Sequence, residues 1–427
     1  MTVYDLLDIE NNPETAKYMP GVLVATFYQR SDKAAATEII EGLKNRMKKI
    51  LTANEWLMGR LKLDKSKNEI YLDADEVENP EEHIFETVDA QVFGVETFTE
   101  IREKFKKYNI QFGINLVDKD EKLMKFGLLS NKDGSEVCVF ISVSHVIADG
   151  HTLYSLYRML DPTQPIVCMN RTSIKSFMKS GFEKTSVFPN HPDPYKAILE
   201  QQMQVIMPAC FSSAKERVEQ GREIEYTLAK VNLNQVKTEK SVFKKSPEYI
   251  NKELEFVSTN DILVSWLQKL CPKADCLDLA VNLRGRIPTL KSHTAGNYVF
   301  GPTMRKKDYR TAADVRKFVN SRFAPGDSWD MPISEDRQDF VGAMSTNWAT
   351  FYHHLELPGY KQKMHMPIPG DFTMVVEGLE LTISLIQIIF ASNKNETCML
   401  LITDRSDITV EGILKDEMVA GELMPYK

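Results

Sequence analysis

EVCVFISVSHVIADG, Glu136 to Gly150, is an apolar run that ends abruptly in a histidine, an aspartate and a glycine. Glu136 to Ser144 is apolar on both alternating faces, which fits a strand covered on both sides. After the glycine, Leu153, Leu156, Tyr157 and Leu160 take helical spacing. His145 therefore stands where a buried strand hands over to a helix, a place where a rigid element holds a group and a loop leaves it accessible. Imidazole is the side chain best matched to proton transfer near neutral pH, and such a base typically contributes about 10²–10⁴-fold to a rate. Asp149 lies four residues on, and a buried carboxylate needs a partner because an unpaired one costs several kcal/mol. Gly150 permits tight backbone geometry or the close approach of a ligand. These residues alone admit two readings: a base, an anchor and a turn, or a core histidine beside a helix cap.

Working outward, helical and strand patterns alternate along the chain, so the class is mixed α/β, of the α+β kind. Ile39, Leu43, Met47 and Ile50 mark an amphipathic helix that leads into NEWLMGRLKL, Asn54 to Leu63, read as a turn and then a strand. In FVSTNDILVSWLQKL, Phe256 to Leu270, Ser258 or Thr259 caps a helix, and Asp261 suits its first turn. CLDLAVNLRGR follows, with Leu277, Leu279, Val281 and Leu283 on one side and Asp278, Ala280, Asn282 and Arg284 on the other. Late strands are expected at Phe372–Val376, Leu381–Phe390 and Thr397–Thr403, and a final helix over Ile408–Leu423. Three divisions follow: a first lobe over residues 1–175, a crossover over 176–250 with a long helix-like stretch from Tyr195 to Glu219, and a second lobe over 251–427.

Composition narrows the function classes. The 427 residues are 43% hydrophobic and 26% charged, as in a soluble globular protein large enough for a sizeable core. The net charge is −7 and no basic stripe appears, which argues against nucleic acid as a partner. The short clusters Lys244-Lys245 and Arg305-Lys306-Lys307 read as solvated turns. The six cysteines form no Cys-x-x-Cys pair, and no histidine stands at zinc-finger spacing, so no metal site is expected. The N-terminus lacks the apolar core of a signal peptide, and LTISLIQIIF is far too short for a membrane span, so a cytoplasmic protein is expected.

HVIADG matches the His-x-x-x-Asp-Gly motif of the CoA-dependent acyltransferase superfamily, which includes BAHD acyltransferases, chloramphenicol acetyltransferase and the condensation domains of peptide synthetases. Three further segments carry the resemblance in family order over nearly the whole chain. NEWLMGRL resembles "NPWLAGRL", VSTNDILVSWL resembles the "STND-L-A-W" segment, and VNLRGRIP with AGNYVFG resembles the "N-L-R-x-R … GN" block. The late "DFGWG" block of BAHD enzymes is absent; Ser345 to Lys363 occupies its region, with Trp348 at the tryptophan that precedes it.

The resemblance implies two chloramphenicol-acetyltransferase-like lobes, each a mixed β-sheet flanked by helices, with a channel between them. It implies His145 as general base and Asp149 as an orienting residue turned away from substrate and paired with an arginine. Arg284 is the candidate partner and Arg286 the alternate. Ser258 and Thr259 match the position near the pantetheine arm, with helix capping as the plain alternative; Gly296 and Asn297 match the "GN" pair near the channel, with a turn as the alternative. The implied activity is acyl transfer from acyl-CoA, a co-substrate rather than a bound cofactor, to a hydroxyl or amine of a small molecule by a monomer. The competing readings are a condensation-type enzyme with a carrier-bound donor and a non-catalytic binding protein of the same fold. Among the other histidines, His151 is expected to face solvent or cap its helix, His293 lies in the loop before Gly296 with substrate contact the lesser reading, and His353 and His354 are adjacent, so at most one of them can face a pocket.

Overall fold

The computed structural model describes residues 3–7, 9–31, 36–74, 79–88, 91–171, 211–213, 219, 221, 223–286, 290–301, 303–321, 341–370, 373–376, 379–405 and 407–425. Of the helix-like stretch expected from Tyr195 to Glu219, only Phe211–Ser213 and Glu219 are among them, and Phe211–Ser213 is a strand rather than helix, paired antiparallel with Leu381–Ile383.

Two sheets carry the architecture. The first has five strands in the order Tyr360–Pro367, Gly21–Arg30, Glu136–Ser144, Met124–Ser130 and Ile84–Val88. The histidine strand is central and antiparallel to both neighbours, with Gly21 opposite Ser144 and Met124 opposite Val143. The expectation of burial on both faces follows from this position. Val137, Val139, Ile141 and Val143 enter the core beneath the helix Ala36–Ala53, while Cys138 and Phe140 enter a second core on the opposite face. The second sheet has seven strands: Thr303–Arg305, Cys276–Leu279, Gly342–Asn347, Leu385–Asn393, Glu396–Thr403, Glu225–Val231 and Val419–Met424. Its outer face packs on the helices Thr259–Leu270 and Ala312–Ser321 through Leu263, Trp266, Leu277 and Val315.

The two sheets meet across a shared apolar layer. Leu23, Ala25, Phe27, Phe140 and Met366 come from the first, and Ile386, Ile388, Phe390, Leu400 and Ile402 from the second. The period-2 alternation of strands makes this possible: Val22, Val24 and Tyr28 leave by the other face into the first lobe's own core.

The sheets do not follow the sequence divisions. Glu225–Val231, assigned to the crossover, pairs with Glu396–Thr403 inside the second sheet. Tyr360–Pro367, assigned to the second lobe, pairs antiparallel with Gly21–Arg30 in the first. Pairing across the lobes satisfies an edge that local pattern leaves open. The expected single strand over Leu381–Phe390 breaks at Ser384 into Leu379–Ile383 and Leu385–Asn393. The expected final helix is confined to Val410–Lys415, and Val419–Met424 is instead a strand on Glu225–Val231. Among the described residues no helix is long and apolar enough to cross a membrane.

Candidate active site

The histidine strand ends at Ser144, a turn begins at His145, and the helix Gly150–Arg158 starts five residues later. His145 is half-buried and borders a cavity of about 240 Å³ between the lobes. Leu23 and Phe112 wall it from the first lobe, and Met344, Ile386 and Ile388 from the second. The ring is thus reachable from a largely apolar channel. Its Nδ1 is buried with no hydrogen-bond partner, and no described residue bonds either ring nitrogen. A fixed acceptor on one nitrogen would set the tautomer; none is present among the described residues, and Asp149, the nearest carboxylate in sequence, is engaged elsewhere.

Asp149 is fully buried and does two things. As N-cap, its Oδ1 accepts from the Thr152 backbone N–H at 2.8 Å and the Thr152 hydroxyl at 2.9 Å. As anchor, its Oδ2 accepts from Arg284 at 2.7 Å, and its Oδ1 receives a second guanidinium bond at 3.3 Å. Burial alone would raise this carboxyl; the Arg284 charge and the bonds from Arg284 and Thr152 outweigh it and hold the pKa below the usual value. The remaining Arg284 donors reach the carbonyls of Thr294 and Gly296 and the Asn282 side-chain oxygen, so all five guanidinium N–H groups are used. Gly150 admits the indole of Trp348: a Cβ there would sit 3.0 Å from Trp348 Nε1, which also borders the cavity.

The Gly296-Asn297 pair carries the tie between lobes. Asn297 Nδ2 donates to the carbonyls of His145 at 2.6 Å and Val146 at 3.2 Å. It also donates to Glu10 Oε1 at 3.1 Å, which further accepts from the Asn297 backbone N–H at 2.7 Å. Glu10 is wholly buried and is balanced by Arg171, whose guanidinium lies 2.7 Å from Oε2. Gly296 adopts φ +130°, and a Cβ there would strike the Arg171 guanidinium at 2.6 Å, so both backbone and space demand glycine. Neither Glu10 nor Arg171 was visible to motif reading. A lone acid near the N-terminus and a lone arginine 161 residues later show no pattern until the fold brings them together.

Other expected residues fall elsewhere. Arg286, the alternate partner, is exposed, two residues past the buried Arg284; intervening Gly285 turns the chain with φ +79°. Ser258 caps the helix Thr259–Leu270 in a reciprocal box with Asp261, and the Thr259 hydroxyl accepts from Lys240 at 3.1 Å; neither borders the cavity. His151 is half-buried: it packs edge-on against Phe351, and burial, aided by the Arg284 charge, lowers its pKa to about 4. His293 is exposed and away from the cavity, His353 bonds Asp161 at 2.6 Å, and His354 meets the Tyr352 hydroxyl at 3.2 Å.

No protein-family model matches this chain, and no curated protein matches it by sequence. Solved structures do match. TRI101 of F. graminearum, complexed with coenzyme A and T-2 mycotoxin, aligns over 98% of each chain with TM-score 0.64 and 14% identity. Vinorine synthase aligns over 99% of this chain and 95% of its own, with TM-score 0.60 and 12% identity. The condensation domain of the Monacolin K polyketide synthase MokA aligns over 96% and 94%, with TM-score 0.58 and 9% identity. With its two facing sheets and the cavity between them, the chain has the two-lobed coenzyme-A-acyltransferase-like fold.

Proposed function

We propose that this protein transfers an acyl group from acyl-coenzyme A to a hydroxyl or amine of a small molecule, with His145 as general base. The observation that carries the reading is a half-buried imidazole, with no described residue bonded to its ring nitrogens, on the wall of an apolar cavity between two lobes. Its backbone is fixed from the other lobe by Asn297. A core histidine would be packed and bonded, as His365 is. The coenzyme A in the TRI101 structure and the shared fold supply the donor class.

The acceptor O–H or N–H gives its proton to His145 as the acceptor atom attacks the thioester carbon. The tetrahedral adduct collapses, the C–S bond breaks, and the imidazolium returns the proton to the departing thiolate. The products are an ester or amide and free coenzyme A. Asp149 and Arg284 take no proton; they hold the loop, so they are positioning residues. Ser258 and Thr259 would meet the pantetheine arm from the helix start, and Asn297 and Gly296 would shape the channel.

The test is a thiol-release assay with a panel of acyl-CoA donors and mass-spectrometric detection of acylated acceptors. His145→Ala is expected to remove transfer, by about 10²–10⁴-fold or more, with the thermal transition unchanged. Most activity surviving would overturn the reading. The condensation-domain likeness makes a carrier-bound donor the second reading; side-by-side rates with free and carrier-bound thioesters separate the two.

A further inference from the structure

Opposite the histidine, the cavity wall contains a carboxylate that the reaction above does not use. Asp278 lies on the strand Cys276–Leu279, in register with Thr303 on one side and Met344 on the other; Met344 in turn pairs with Ile386. That row faces the first lobe, and Asp278, Met344 and Ile386 all border the cavity that His145 borders. Within the row across to Ile386, Asp278 is the one ionisable residue. Its Oδ1 is buried and has no hydrogen-bond partner. Gly301 leaves room beside it: a Cβ there would come within 2.7 Å of both carboxylate oxygens.

Among the described residues no cation meets this carboxylate. Arg284 is spent on Asp149 and Arg171 on Glu10. Among the described residues the other titratable groups on the cavity wall are His145, Asp149 and Tyr18, and along the strand Cys276 stands two residues back. Burial with no compensating charge raises the Asp278 pKa to about 7. Such a group is costly as an anion, and perturbed, unpartnered carboxyls facing a cavity cluster at sites that bind a ligand of opposite charge.

We propose that Asp278 determines acceptor specificity, and that the acceptor is an aliphatic amino alcohol or diamine whose protonated nitrogen pairs with this carboxylate while its nucleophile meets His145. The inference rests on the acyl-transfer reading of the same cavity. The apolar wall between the two polar groups suits the methylene chain of such a molecule. Binding returns Asp278 to its charged form, so affinity rises as pH passes upward through about 7 and holds until the amine itself deprotonates.

Aminohexanol and hexanol, with acetyl-coenzyme A as donor, form a matched pair that differs by one cation. The wild-type protein is expected to prefer aminohexanol by about tenfold to a hundredfold in kcat/KM, mainly through KM, as one charge-assisted hydrogen bond supplies. Asp278→Asn keeps the shape and is expected to remove most of that preference; Asp278→Leu is expected to reverse it. An unchanged ratio in both variants overturns the proposal. A second arm needs no turnover: diaminohexane binding to His145→Ala protein by calorimetry, with and without Asp278→Asn. Tighter binding above pH 7 that requires Asp278 supports the pairing even where transfer is absent, and in that case the acyl-transfer reading falls alone. Equal binding with and without Asp278 sinks the pairing whatever the transfer assay gives.

Discussion

At the scale of single residues, Asp149 shows how one side chain carries two separable duties. It caps a helix through the Thr152 backbone N–H and neutralises a saturated, buried Arg284. Asparagine caps about as well as aspartate but carries no charge. Asp149→Asn therefore keeps the cap and strips the ion pair, leaving Arg284 buried without a counter-charge. Breaking such a pair from one side costs about 3–5 kcal/mol. The expected outcome, read by urea denaturation, is a lower midpoint with an unchanged slope, together with lost activity because the loop holding His145 loosens. A variant as stable as the parent would show that Arg284 has another way to be satisfied. The motif residues are legible in the sequence because their chemistry is local: a histidine at a strand end, a cap and an arginine on the polar side of an alternating strand. What the motif could not show is the environment of the ring. A carboxylate spent on Arg284 leaves Nδ1 of His145 without a partner, and that follows only from three-dimensional placement.

At the scale of elements, the strand Tyr360–Pro367 joins a sheet whose other strands lie more than two hundred residues earlier. Sequence reading places no strand over YKQKMHMP, because its short alternation is mixed with lysines and names no partner; register belongs to whatever edge a strand meets. His365 locks it in place. Its Nδ1 lies 2.8 Å from the Thr26 hydroxyl and its Nε2 lies 2.9 Å from the Tyr154 hydroxyl, with no exposure to solvent. Burial lowers its pKa to about 3, so the folded protein holds it neutral. The unfolded chain takes up this proton near pH 6.5, before the folded one does. The contribution to stability is thus complete above pH 6.5 and drains away as pH falls toward 3. His365→Gln, neutral throughout, is expected to be less stable than wild type at pH 8, by about 1–3 kcal/mol for imperfect hydrogen bonding. Between pH 6.5 and 4 its stability is expected to fall less steeply. Equal slopes for the two proteins would remove His365 from the acid response. The same lesson explains Val419–Met424, where a short apolar run after a helix turns into a strand because the edge of Glu225–Val231 awaits it.

At the scale of the whole molecule, two facing sheets share one apolar layer, and a cavity remains where that layer ends at the histidine loop. Apolar layers slide more readily than polar ones, since hydrophobic contact is non-directional. The fixed alignment comes from a polar stitch: Glu10 from the chain's beginning, Arg171 from the end of the first lobe, and Asn297 from the second. Because Asn297 also holds the His145 carbonyl, the stitch sets where the imidazole stands relative to the opposite wall. Removing Arg171 alone, as Arg171→Met, leaves a fully buried carboxylate with only neutral donors and is expected to cost about 3–5 kcal/mol. Removing both charges, as Glu10→Gln with Arg171→Met, relieves the uncompensated charge. The double variant is expected to be more stable than Arg171→Met, a coupling that a double-mutant cycle reads directly. Activity is expected to divide differently. Glutamine at position 10 retains an acceptor for the Asn297 donors, so the double variant recovers stability and part of kcat, while Arg171→Met loses both. Strictly additive losses in the cycle would mean that the three residues are independent, and the lobes would then owe their alignment to packing alone.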